Sequence, residues 1–146
     1  MQNGMPSEHS ELVQRTLILP SPGKGKGLFA RLDLPKGTVV ARMREPARMK
    51  RSEVEGHLAQ YPGLPEDFVI YAPRSPLVFY DASWDGSGRV PRWYRLNHSR
   101  RPNTAPCILN PDASARDQEM AWITIKKVAA GDELTFCYEN APSDWS

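Results

Sequence analysis

The stretch Lys126-Lys127-Val128-Ala129-Ala130-Gly131-Asp132-Glu133-Leu134-Thr135-Phe136-Cys137-Tyr138 decides how this chain is read. Ala130-Gly131-Asp132 is a turn joining two extended runs, Met120-Ala121-Trp122-Ile123-Thr124-Ile125 before it and Glu133 to Tyr138 after it. β-Branched and aromatic residues dominate both runs, and glycine beside aspartate suits a tight connection. Side chains alternate between the faces of a strand, so Phe136 and Tyr138 share one face and Cys137 takes the other. That face presents an apolar ring beside a ring with a hydroxyl. Taken alone, the stretch is an ordinary β-hairpin with an aromatic strand.

Upstream stands Arg95-Leu96-Asn97-His98-Ser99-Arg100-Arg101-Pro102-Asn103. The two asparagines offer donors and acceptors, and Pro102 stiffens the turn between them. Such residues also tie loops to their own backbone. His98 beside Ser99 is not a nucleophile–base pair, and no GxSxG turn accompanies it. His9 and His57 lack metal-ligand spacing with His98. Further upstream lies Ser21-Pro22-Gly23-Lys24-Gly25-Lys26-Gly27, followed by Leu28-Phe29-Ala30. It is neither a P-loop nor a dinucleotide fingerprint. Its glycines suit a hairpin turn, or a backbone that lies directly against a flat or charged ligand.

The remaining chain is read in short pieces, broken by 14 prolines and 10 glycines. Residues Leu12 to Leu19 read as a first strand, Asp33 to Gly37 as a turn, and Thr38-Val39-Val40 as an extended run. Ser52 with Glu55 three residues on reads as a capping box, giving a short helix to about Ala59 that Pro62 and Pro65 terminate. Leu77 to Tyr80 reads as a strand, and residues Asp85 to Gly88 and Asn110 to Gln118 as polar loops. The expected architecture is mainly β with little helix. Residues 1–10 form a flexible N-terminal segment and residues 11–146 a single domain, for which 146 residues supply one core.

Composition narrows the function. A net charge of +2 is small for a dedicated nucleic-acid binder, although the run Arg42, Arg44, Arg48, Lys50, Arg51 is locally basic. Cys107 and Cys137 are too few for a disulfide framework or a four-cysteine zinc site, and read as free thiols of a reducing compartment. No run of about 18 apolar residues is present to span a membrane, and no apolar signal core opens the chain. The expected location is intracellular.

In this order and spacing, the glycine turn, the Asn-His-Ser-x-x-Pro-Asn segment and the Gly-Asp-Glu-Leu-Thr-Phe-Cys-Tyr strand resemble the SET family, over roughly Leu17 to Glu139. The resemblance implies a fold of several short β-sheets, with a knot-like threading of the last strand past the Asn97 segment. It implies a protein-lysine methyltransferase that uses S-adenosylmethionine and acts on a lysine-containing protein, a histone tail in the first instance. Lys24, Gly25, Lys26 and Gly27 would wrap the methionine part of the cofactor. Asn97 would hold it through its amide, and His98 through its backbone. Tyr138 would be the catalytic tyrosine, and Phe136 would line the lysine channel and permit di- or trimethylation. Tyr71 is a further aromatic candidate for the cofactor pocket or the channel, and Trp145 for stacking on adenine, whereas Tyr80 suits the core. No metal and no membrane is implied, and a homodimer would complete the peptide groove.

The chain departs from the family pattern in places. Tyr94-Arg95-Leu96 stands where Arg-Phe-Ile is common, Arg100 stands where cysteine commonly follows the serine, and no cysteine-rich zinc segment flanks the domain. Three rival readings remain: a SET fold that binds peptide or cofactor without turnover, a methyltransferase of a non-histone protein, and a nucleic-acid binder using Arg42 to Arg51.

Overall fold

A computed structural model describes residues 8–61, 63–64, 68–71, 77–84 and 90–137. The described residues open with helix α1 (Glu8–Arg15), followed by a hairpin of β1 (Thr16–Ser21) and β2 (Gly25–Ala30). The glycine-rich stretch is the tip of this hairpin, with Ser21 opposite Gly25 and only residues 22–24 in the connection. Lys24 N–H donates to the Ser21 carbonyl at 2.9 Å. Gly23 and Gly25 take φ of 76° and 74°, a left-handed backbone that side-chain-bearing residues resist.

Strands β3 (Val39–Arg42) and β4 (Pro46–Lys50) follow, then helix α2 (Val54–Gln60), β5 (Val69–Tyr71) and β6 (Leu77–Asp81). The second half carries the two-residue β7 (Asn97–His98), β8 (Thr104–Ile108), β9 (Met120–Thr124) and β10 (Glu133–Phe136). Among the described residues three small sheets result, in the orders β1-β2-β10-β7, β3-β9-β8 and β4-β6-β5. The described chain is mainly β, as the sequence led one to expect.

Two local readings are corrected. Residues 8–15 are helical, where a flexible segment to residue 10 and a strand from Leu12 were expected; the strand begins at Thr16. The helix is held by what it buries and caps. Leu12 is buried, Glu11 pairs with Arg15 one turn on at 3.8 Å, and the Leu12 carbonyl accepts the Thr16 hydroxyl at 2.6 Å. The second helix is entered through a 3₁₀ turn, Arg51–Glu53. The residue reaching back is Glu53, which accepts the Lys50 N–H at 3.0 Å, and not Glu55 paired with Ser52. The helix ends at Gln60, within a residue of its expected end.

The core sits where the sheets meet. Trp93 and Trp122 stack at 4.9 Å with 10° between their planes, flanked by buried Leu28, Leu96, Leu134 and Phe136. Each such side chain contributes about 1.5–3 kcal/mol of burial, so this cluster clamps the first and second sheets together. The third sheet is tied to it through Asp81. Its buried carboxylate accepts the backbone N–H groups of Arg44 and Glu45 and the Trp93 indole N–H, at 2.9, 3.1 and 2.8 Å.

Arg42 to Arg51 does not form one free basic face. Arg42 pairs with Glu119 at 3.2 Å. Arg48 lies 4.1 Å over the Phe79 ring and is bonded to Gln118; burial lowers its pKa. Arg42 and Arg48 are thus engaged within the protein, which counts against the nucleic-acid reading.

Candidate active site

Strand β10 is the axis of the site. It pairs antiparallel with β2, Glu133 opposite Phe29 and Leu134 opposite Leu28. It also pairs parallel with β7, Thr135 opposite Asn97 and Phe136 opposite His98. Successive backbone groups of a strand point to opposite edges. The Ser99 N–H bonds the Phe136 carbonyl at 3.1 Å on one edge. On the other edge, the Asn103 side chain accepts the Thr135 N–H at 2.9 Å and donates to the Glu133 carbonyl at 2.8 Å. The Thr104 hydroxyl adds a bond to the Thr135 carbonyl at 2.7 Å. Between residues 99 and 104 the chain therefore crosses from one edge of β10 to the other. This is the local geometry of a threaded strand.

Three expected segments converge here. The Asn97 amide donates to the Lys26 carbonyl at 3.2 Å and to the Glu133 carboxylate at 2.7 Å. Both partners are acceptors, so the NH₂ end of the side chain must face them. Glu133 Oε1 in turn accepts the Ser21 hydroxyl at 3.0 Å. The Lys24 ammonium reaches the His98 carbonyl at 3.3 Å. One carboxylate and one amide thus fasten the glycine hairpin, β7 and β10 to one another.

The close approach explains Gly27. A Cβ at that position would stand 2.4 Å from Glu133 Oε2 and 3.1 Å from Asn97 Nδ2, so the carboxylate occupies the space that a side chain would need. Glu133 is the site residue that reading the sequence missed. Its signal was its place, since period two puts Glu133 and Thr135 on the face opposite Leu134 and Phe136.

Residues 25–139 match the family model for the SET domain. The chain belongs to the SET-domain family. Compared with curated proteins, it matches none at a significant level. SET domains are protein methyltransferases, generally lysine-directed and dependent on S-adenosylmethionine, and the several small sheets described above are those of a SET fold.

In this SET domain, Lys24, Gly25, Lys26, Gly27, Asn97 and His98 come together, and Phe136 follows on the same strand as Glu133. Phe136 is buried, its ring edge-on to Trp122 at 5.7 Å. Tyr71 has its backbone at the end of β5, in the third sheet, and its side chain lies outside the described residues. Tyr138 and Trp145 also lie outside them. Among the described residues no group of three His, Cys, Asp or Glu side chains is placed to share a metal ion, and no helix is long and apolar enough to cross a membrane.

The junction suits the amino-acid end of S-adenosylmethionine by the chemistry of its donors and acceptors. Both amide hydrogens of Asn97 are used within the protein, whereas its carbonyl oxygen has no hydrogen bond among the described residues. Gly25 carries open space where a side chain would stand, leaving hairpin backbone accessible. A carbonyl oxygen left without a donor is what the ammonium of such a zwitterion requires.

Proposed function

We propose that this chain is an S-adenosylmethionine-dependent protein-lysine methyltransferase that forms di- or trimethyl-lysine on a histone tail. The observation that carries the reading is the Asn97 amide, which fastens the glycine hairpin to β10 in a chain of the SET family. Residues 24–27 and His98 would hold the cofactor through backbone groups, and Asn97 through its free carbonyl oxygen. Tyr71 and Trp145 are proposed as the aromatic residues of the pocket. Residues 11–146 are proposed to act as one domain.

The bound cofactor supplies an electrophilic methyl group on a sulfonium. The protein's share is positioning, which is most of the catalysis in an in-line displacement. A free lysine has a pKa near 10.4 and must lose its proton to attack; apolar walls disfavour the charged amine and water takes the proton. Phe136 is proposed as one of those walls. The Tyr138 hydroxyl, with nearby backbone carbonyls, would accept from the amine and aim its lone pair. Aromatic faces tolerate the methylated ammonium through cation–π contact, about 0.5–2 kcal/mol each.

The deciding experiment is mass spectrometry of nucleosomes and of free histones incubated with the protein and S-adenosylmethionine. Di- and trimethyl-lysine on a histone tail is the expected product. Cofactor binding without methyl transfer to any histone would replace the histone substrate with another protein. Absence of cofactor binding would favour a non-enzymatic SET module. An intracellular, chromatin-associated location belongs to the same proposal, as does a homodimer that completes the peptide groove.

A further inference from the structure

Helix α2 and the third sheet enclose a cavity of about 160 Å³ that shares no residue with the junction at β10. His57, Tyr61, Tyr80 and Trp84 supply its rings and Asp81 its charge. His57 lies in the last turn of α2 and Tyr61 just past its end. The His57 ring stands 4.9 Å from Tyr61 and 4.8 Å from Tyr80. Tyr61 and Trp84 meet at 84°, 6.3 Å apart, as two walls of a corner. The turn after α2 holds that corner: Leu64 N–H bonds the Tyr61 carbonyl at 3.0 Å. Gly63, at φ 93°, lies under Trp84.

The charge decides what such a cavity takes. Asp81 is 2% exposed and has no Lys or Arg partner among the described residues. Its oxygens are nonetheless full. Oδ1 accepts the Glu45 and Ser83 N–H groups at 3.1 and 3.0 Å, and Oδ2 accepts Arg44 N–H and Trp93 Nε1–H at 2.9 and 2.8 Å. Ring faces and an uncompensated carboxylate attract a cation. A carboxylate with no acceptor position left gives nothing to the N–H groups of a bare ammonium, which would shed its water without replacement. Ring faces, with a charge that offers no free acceptor, suit a cation clad in methyl groups better than a bare ammonium.

We propose that this cavity binds a quaternary ammonium group, the head of a trimethylated lysine side chain on a peptide. The cavity opens to solvent beside Tyr61, which is 45% exposed, so a side chain enters while its peptide stays on the surface. The assignment goes beyond the catalytic reading and stands whether or not the chain transfers methyl groups.

The test is calorimetric titration of the full chain with four probes: Nα-acetyl-trimethyllysine methylamide, its neutral carbon isostere with a tert-butyl head, the unmethylated lysine derivative, and choline. The trimethyl compound is expected to bind about tenfold tighter than the isostere, the sum of two or three exposed cation–π contacts, and tighter than unmethylated lysine. Tyr61→Ala should abolish that preference, and Tyr61→Phe, which keeps the ring, should retain it. Equal binding of the neutral isostere overturns the proposal, because the cavity is then merely apolar. An undiminished preference in a folded Tyr61→Ala protein also overturns it, by moving the binding elsewhere. Choline binding as tightly as trimethyllysine overturns the assignment to a lysine side chain. Should Tyr61→Ala fail to fold, Trp84→Ala removes the facing wall of the same corner and is expected to abolish the same preference; an undiminished preference in that folded variant overturns the proposal.

Discussion

Replacing Gly27 with alanine tests the junction most directly, since one methyl group enters the space now held by a carboxylate. The new Cβ would lie 2.4 Å from Glu133 Oε2, about 1 Å inside a close C···O contact. The hairpin backbone is paired on both sides, to β1 and to β10, so the carboxylate is the part that gives way. Withdrawing it by about 1 Å breaks the 2.7 Å bond from Asn97, a charge-assisted bond contributing roughly 1.5–3 kcal/mol, and strains the Ser21 bond, worth about 1 kcal/mol more. Alanine in a strand recovers about 0.5–1 kcal/mol of the chain entropy that glycine loses. The net expectation is a loss of about 1–3 kcal/mol. In a Glu133→Ala background the same substitution meets no carboxylate and should be neutral or slightly stabilising. Urea unfolding of the four proteins closes the cycle, with an expected coupling of about 2–3 kcal/mol. Independent sites add to within about 0.5 kcal/mol. A coupling inside that margin would refute the argument, because the carboxylate would then be free to swing aside at no cost.

Three more outcomes are expected. Tyr138→Phe should cut methyl transfer at least about a hundredfold with unchanged thermal unfolding, as removing a positioned polar group does; wild-type turnover would remove Tyr138 from the chemistry. Phe136→Tyr should hold the mass ladder of a single-lysine peptide at the monomethyl stage with the first transfer intact. A hydroxyl at that ring can anchor a water in the space that a methylated amine needs to turn. An unchanged ladder would leave Phe136 as core, packed on Trp122. Asp81→Asn should destabilise the fold by about 2–4 kcal/mol in urea, because an amide NH₂ then faces two N–H donors that had an acceptor; a loss under about 1 kcal/mol would show that water replaces the lost bonds.

What could be read from the sequence follows from what each residue depends on. Strands β6, β9 and β10 announced themselves through β-branched and aromatic runs, and two-edge pairing did the rest. The first helix was hidden because Leu12 and Val13 run on into Leu17, Ile18 and Leu19, and apolar density hid the helical spacing. The Glu11–Arg15 pair was the available clue. Strand β4 read as a basic patch, although Arg48 is laid on Phe79 and Met49 packs against Val54, Val69 and Val78, because charge does not say which side chains are buried. At the site, the glycine turn and the Asn97 segment were legible by type and order. That Glu133 holds them together was not, because a partner 112 residues distant leaves no local pattern.

That distance also has a consequence during synthesis. The bonds that build the junction join Lys26 to Asn97 across 71 residues, Lys24 to His98 across 74 and Ser21 to Glu133 across 112. Loop-closure entropy must be met before such contacts return anything, which slows folding. On the ribosome, the β1–β2 hairpin emerges with one edge of β2 bare, and that edge waits for β10. An unpaired edge invites the wrong partner, here another nascent copy. The order of translation therefore assigns β10 two tasks in a single step: it covers the oldest exposed edge, and it brings the site into existence.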